Sequence, residues 1–300
     1  MINLLNRLQN IDNRLLYLLL ALIVSVPLIF TIPAGKAVVL PQTQSVFDTV
    51  ERIASDPIES KKLVIFSFGF SSSTATENLT QSEAILRHLM ARKMKVALFS
   101  FSDPQGQELA QKLADRLAPE YDYEYGRDYV NWGFKSGDAG PNLKSLSHDI
   151  AGTIGKDIKG TPLAQVPVMQ GINSVEDVSL VIEIASSSTI ESWLGYFAAT
   201  GKSKTAVPVV YGCTAVMAPE AFPFLKSGQI SGLLNGLTGA GEYEILIQKA
   251  GYSKQPGFGS RASASLSFAH FLIVILIIIS NVSMIALRRQ QAKTADGGMR

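Results

Sequence analysis

The stretch VSLVIEIA (Val178–Ala185) decides the fold. It is nearly all apolar and half β-branched, the pattern of a strand buried on both faces, as parallel sheets require. Working outward, Ser186-Ser187-Ser188-Thr189 opens a helix expected to reach Thr200, and VPVVY (207–211) reads as the next strand. Upstream, LVIFSFGF (63–70) and VALFSF (96–101) are two further strands. A helix is expected over 76–93 between them. Another is expected from Ser102-Asp103-Pro104 to about Leu117, a capping side chain before proline marking its start. Strand–helix alternation of this kind predicts an α/β domain with a doubly wound, mostly parallel, Rossmann-like sheet.

Other segments are less regular. Ser45–Ala54 places Val46, Phe47, Val50 and Ile53 at helical spacing, a short amphipathic helix within a connecting segment at 33–60. The aromatic run YDYEYGRDYVNWGF (121–134) suits a short edge strand and a loop, or a ring-rich surface for carbohydrate or protein. Asn142–Ile158 reads as one helix and Glu242–Ala250 as another. Gln229–Leu234 fits strand or helix. Gly228, Gly232 and Gly236 form either a close-packing stripe on a helix or the turns of an α/β unit. The phrase FLKSGQISGLLNGLTGAGEY (224–243) resembles the last helix–turn–strand–helix of periplasmic sugar-binding proteins, where a lysine-x-glycine turn precedes a buried strand. The resemblance implies the same order of elements here and no ligand residues.

Both ends are greasy. LLYLLLALIVSVPLIFTI (15–32) has 18 uncharged residues, and LSFAHFLIVILIIISNVSMIAL (266–287) has 22, with His270 and Asn281 as its polar exceptions. About 20 residues cross a bilayer core, so both are expected to be transmembrane helices. A cleaved signal peptide is the rival for the first. The 300 residues are only 17% charged, against roughly 25% in an ordinary globular domain. The ends (1–32 and 266–300) hold six bases and two acids, leaving 21 bases and 23 acids for the centre. A near-neutral centre offers no footprint for nucleic acid. Arg14, Arg288 and Arg289 flank the spans on their terminal sides, and Lys36, Lys249, Lys254 and Arg261 on the domain side. The bias places 1–14 and 288–300 in the cytoplasm and the domain (61–265) outside it.

Candidate site residues follow from strand ends. Ser71-Ser72-Ser73-Thr74 and Ser186-Ser187-Ser188-Thr189 each follow a strand and open a helix, 115 positions apart. Hydroxyls and free N–H groups there form a cradle for a polar ligand, or simply cap helices. Asp103 lies at the same level, as ligand group or N-cap. Glu183 is a carboxylate inside an apolar strand and needs a partner or a cleft. The single cysteine, Cys213, excludes an intrachain disulfide, and its place after a strand suits a nucleophile or a small core residue. Ser147-His148-Asp149 holds triad letters, but adjacent side chains point different ways. No phosphate loop, dinucleotide fingerprint or HExxH motif is present, so no cofactor and no metal are expected.

The expectation is a membrane-anchored extracytoplasmic domain, a binding or assembly subunit of an envelope or transport complex, with the lipid bilayer and membrane proteins as partners. The alternatives are a membrane-bound hydrolase or transferase using the serine loops with Asp103 or Glu183, and the same domain facing the cytoplasm.

Overall fold

The computed structural model describes residues 12–30, 38–101, 103–198, 206–254 and 257–297, with side chains described as far as 289. Thr31, Ile32, Lys36, Ser102 and the expected helix end at 199–200 lie outside the described residues, as do Arg7 and the Lys293 side chain. Two compact units emerge, one formed by the terminal segments and one by Lys36–Ser260.

The larger unit is a six-stranded, all-parallel sheet: β1 (Leu63–Gly69), β2 (Lys95–Ser100), β3 (Tyr129–Phe134), β4 (Val178–Ala185), β5 (Val209–Cys213) and β6 (Gly232–Asn235). Their order is β3-β2-β1-β4-β5-β6. The chain winds outward from β1 to β3, then returns to place β4 on the other side of β1. This 3-2-1-4-5-6 order is that of doubly wound α/β sheets, whose ligands sit outside the strand carboxyl ends where the order reverses. Here that point lies between β1 and β4.

Period-two alternation splits the strand residues between two cores. Ile65, Phe99, Val130, Val181 and Val209 join Trp193 on one face. Val64, Phe66, Leu98, Ile182 and Val210 join Leu86 and Leu89 on the other. Every residue of β4 is buried, as its apolar composition requires.

The sheet is flanked by helices. α2 (Pro41–Ser55) starts on a proline at its first position. It is longer than the short connecting helix expected, and it is part of this unit. Val46, Val50 and Ile53 are buried, and a Cβ on Gly232 of β6 would lie 2.6 Å from the Val46 backbone nitrogen. α3 (Ala75–Ala91) follows β1, and α4 (Gln105–Leu117) follows β2. The helix expected over 142–158 is two: α5 (Ala139–His148) and α6 (Ile150–Ile154). Asp149 breaks it with extended φ −147° and ψ 96°, and its side chain accepts from Gly152 N to start the next turn. After β4 comes a short α7 (Ile190–Trp193), continued by a π turn over Leu194–Ala198.

α8 (Ala218–Lys226), β6 and α9 (Gly236–Lys249) give the helix–turn–strand–helix order that the 224–243 phrase implied. Gly228 sits past α8 at φ 74°, the left-handed conformation that favours glycine. The 228–236 glycines thus serve turn and strand, not one helical stripe. Of the aromatic run, Tyr123, Tyr129 and Trp132 are buried. Tyr123 and Tyr129 pack in the core on one face of the sheet and Trp132 in the core on the other, so these three rings are not available as a carbohydrate platform.

In the terminal unit, α1 (Asn13–Ile29) is an apolar helix of 17 residues, roughly 26 Å at 1.5 Å each. α10 (Phe258–Gly297) contains a stretch, Phe258–Arg289, long and apolar enough to cross a membrane, its most apolar 18 residues having a mean hydropathy of 2.5. The two run antiparallel. Ser265 Oγ donates to Val24 O at 2.8 Å, and one helical turn on, Arg261 Nη1 donates to Leu28 O at 3.3 Å. Arg261 thereby places a cation on one of the last carbonyls of α1, the favourable end for positive charge.

Candidate functional site at the β1–β4 reversal

The register puts Gly69 beside Ala185, Ala185 beside Cys213 and Cys213 beside Asn235, a straight row across the carboxyl edge. Ser186 N extends the ladder to Gly69 O at 3.1 Å. The two serine loops therefore leave neighbouring strands, about 4.8 Å apart. This adjacency was not deducible from spacing alone, because it depends on β4 returning beside β1.

The first loop is tied to the third strand-end loop. Ser72 donates from both N (3.0 Å) and Oγ (2.8 Å) to Gln105 Oε1. Gln105 N in turn donates to Asp103 Oδ1 at 2.8 Å. Ser71 Oγ and Ser73 Oγ lie 2.7 Å apart and share a hydrogen bond. Ser72–Thr74 forms a 3₁₀ turn leading into α3, and no side-chain capping bond closes that helix start. Thr74 Oγ1 is buried without a partner. Thus Ser71–Thr74 and Asp103 come together through Gln105, with one Asp103 oxygen committed to the backbone, as an N-cap would be.

The second loop is tied to the carboxylate beneath it. Thr189 Oγ1 donates to Glu183 Oε1. Glu183 is fully buried, and it lies opposite Ser67 on β1 and Tyr211 on β5. Ser67 Oγ and Trp193 Nε1 flank the carboxyl without reaching good hydrogen-bond geometry, and Glu183 Oε2 has no partner. Burial pushes the Glu183 carboxyl above the usual carboxylate range, against the opposing pull of Ser67, Thr189 and Trp193. Ser186 and Ser187 are half-buried and Ser188 is exposed.

Four residues of the same edge escaped the sequence reading. Besides Gln105, Glu77 Oε2 accepts Ala215 N at 2.8 Å, and Asn78 Nδ2 reaches Ala185 O at 3.5 Å. One turn on, Gln81 donates from Nε2 to Cys213 O and Gly236 O, each at 2.9 Å. Asn78, Gln81 and Ile85 share one face of α3, and the signal was there: two amides on the line that continues as Ile85 and Leu89. Helices docked on a sheet carry amides on that line when strand-end carbonyls need donors.

Cys213 is buried among apolar side chains, and its thiol is pushed up to about 12, chiefly by burial and further by Glu77 and Glu220. It behaves as a core residue. His148 and Asp149 line a separate open cleft of about 570 Å³ with Lys135 and Thr153, where Lys135 Nζ donates to Thr153 O at 2.7 Å. Among the described residues, no three His, Cys, Asp or Glu are grouped to hold a metal ion.

Chemically, the edge offers hydroxyls and amides. Its three carboxyls are engaged, Asp103 and Glu77 each by a backbone N–H and Glu183 inside the sheet. Such a set recognises neutral polar groups by hydrogen bonding. No family model matches the chain, no curated protein matches it, and no solved structure matches it.

Proposed function

We propose that the chain is a membrane-anchored, Rossmann-like binding subunit of an envelope or transport complex, holding a small neutral polar ligand at the carboxyl edge of β1 and β4. The observation that carries this reading is the side-by-side exit of Ser71–Thr74 and Ser186–Thr189 at the reversal of strand order. An enzyme working through Asp103 or Glu183 is the weaker reading, because Asp103 accepts Gln105 N as a helix cap and Glu183 is buried beneath Thr189.

In this reading α1 and α10 both cross the bilayer, the domain lies outside the cytoplasm, and both ends lie inside. The antiparallel contacts of Val24 with Ser265 and Leu28 with Arg261 support the shared crossing. Arg14, Arg288 and Arg289 support the direction.

The test is native mass spectrometry of the full chain extracted mildly from its own membranes. A small-molecule adduct or a bound membrane protein is expected. The adduct is expected to fall away when Gln105→Ala and Thr189→Val are combined. A chain that emerges bare and alone overturns the reading. A reporter fused at the C-terminus checks the direction, with a cytoplasmic signal expected.

A further inference from the structure

We propose that α10 carries a self-association seam within the membrane, and that its occupant is α10 of a second copy of this chain. The proposal rests on the reading of α10 as a membrane span. Ile273, Leu276, Ile277, Ser280 and Asn281 line one shallow groove of about 380 Å³ on this helix. They fall at i, i+3, i+4, i+7 and i+8, which keeps all five on one face of the helix, the spacing of a lengthwise helix contact. His270, seven residues before Ile277, lies on the same side and is exposed.

The described part of α1 does not fill this groove. Arg261 and Ser265, which bond α1, share a different stripe with the buried Leu272 and Ser283. At about 100° per residue, that stripe is roughly 100° around the helix from the groove.

Asn281 selects the occupant. It is exposed within the apolar run 266–287, and its amide makes no hydrogen bond among the described residues. A bare amide in hydrocarbon is costly, so a partner with matching groups gains by covering it. Copies inserted in the same sense in one bilayer are related by a twofold axis along its normal, so residues of equal depth meet. An amide carries both donor and acceptor and can pair with itself across such an axis. Ser280 has the same dual character. No charged residue lies within 266–287, so the seam calls for no ionic partner.

Single cysteines at Ile273, Ile277, Ser280 and Asn281 of the full chain, oxidised in intact membranes, test this directly. Ile275, Ile278 and Val282 on the far side serve as controls, and the buried native Cys213 gives the background. Disulfide-linked dimers are expected at the first set and not at the second. Adding Asn281→Leu to the Ile277→Cys chain is expected to lower its dimer yield about fivefold. Uniform cross-linking, no cross-linking, or linkage to another protein overturns the seam. Carbonate extraction separates the two failures. A chain released by it refutes the span and the seam together, whereas a retained chain without dimers refutes the seam alone.

Discussion

The Glu244 carboxylate of α9 accepts the backbone N–H of Ser260 at 2.7 Å, and its other oxygen accepts that of Gly259 at 2.9 Å. A side chain from one helix thus satisfies two of the orphan donors in the first turn of the next. Two residues earlier, Glu242 Oε2 accepts Leu40 N at 3.1 Å, ahead of α2. One turn of α9 therefore fixes the chain both where it enters the α/β unit and where it leaves.

Glu244→Ala leaves both donors without their acceptor. Hydrogen exchange at Gly259 and Ser260 is expected to rise about tenfold, the equivalent of one lost cap. Glu244→Gln keeps one acceptor oxygen and is expected to fall between. Unchanged exchange in the alanine variant counts against this clasp.

Glu183 sets a pH dependence. Its folded pKa is raised by burial above the unfolded value of 4.5. The folded state therefore binds its proton more tightly, and stability from this group is lost as pH rises through the folded pKa. Glu183→Gln is expected to match the parent near pH 5 and to exceed it at pH 8 by about 1 kcal/mol, roughly 2–4 °C in Tm. Equal melting curves at both pH values are the contrary outcome.

His88 acts in the opposite sense. It is fully buried between the rings of Phe47 (4.7 Å) and Tyr252 (5.1 Å). Its Nε2 meets Glu51 Oε1 and its Nδ1 meets Tyr243 Oη, each at 2.7 Å. Burial lowers its pKa to about 4, although Glu51 pulls it upward. Burial pushes Glu51 up, but bonds from His88 and Tyr252 outweigh that and hold it low and ionised. A neutral ring then donates from Nε2 to Glu51 and accepts at Nδ1 from Tyr243. Stability from His88 is complete above pH 6.5 and is lost as pH falls from 6.5 to about 4, by roughly 3 kcal/mol in total. His88→Gln is expected to flatten the melting-temperature profile over that window. A profile as steep as the parent's assigns the acid loss elsewhere.

Gly106 is a close-approach position. A Cβ there would lie 2.1 Å from Phe68 O and 2.4 Å from Ser100 Oγ. The first turn of α4 thus rests directly on the ends of β1 and β2. Gly106→Ala is expected to destabilise by about 2–3 kcal/mol through overpacking, and to disturb the Gln105–Ser72 bond beside it. Thermal unfolding of the full chain in detergent measures the first effect.

Much of the sheet was legible because its strands are short apolar runs between clear punctuation. β1, β2, β4 and β5 show it. β6 was ambiguous, since Gly232 serves strand packing against Val46 and looks like a helix-breaking residue in isolation. α5 and α6 were fused in the sequence reading because apolar spacing runs on through Asp149, whose capping bond is local geometry that periodicity does not encode. The candidate site was half legible. Serines and threonines at strand ends announce themselves, and their meeting follows from the order of strands. Gln105, Asn78 and Gln81 were hidden because an amide in a helix looks like surface until its partner is located, the Ser72 donors for Gln105 and the strand-end carbonyls for Asn78 and Gln81.

The packing of α2 on β6 has a consequence for how the protein is made. The opening helix of the domain finds much of its cover in one of the last strands to be synthesised. Until Gly232–Asn235 emerges from the ribosome, Val46 lacks the β6 backbone on which it rests. The nascent chain is thus obliged to carry a greasy line through most of translation, and a chaperone or translocation factor that shields unfinished polypeptides would find its first foothold there.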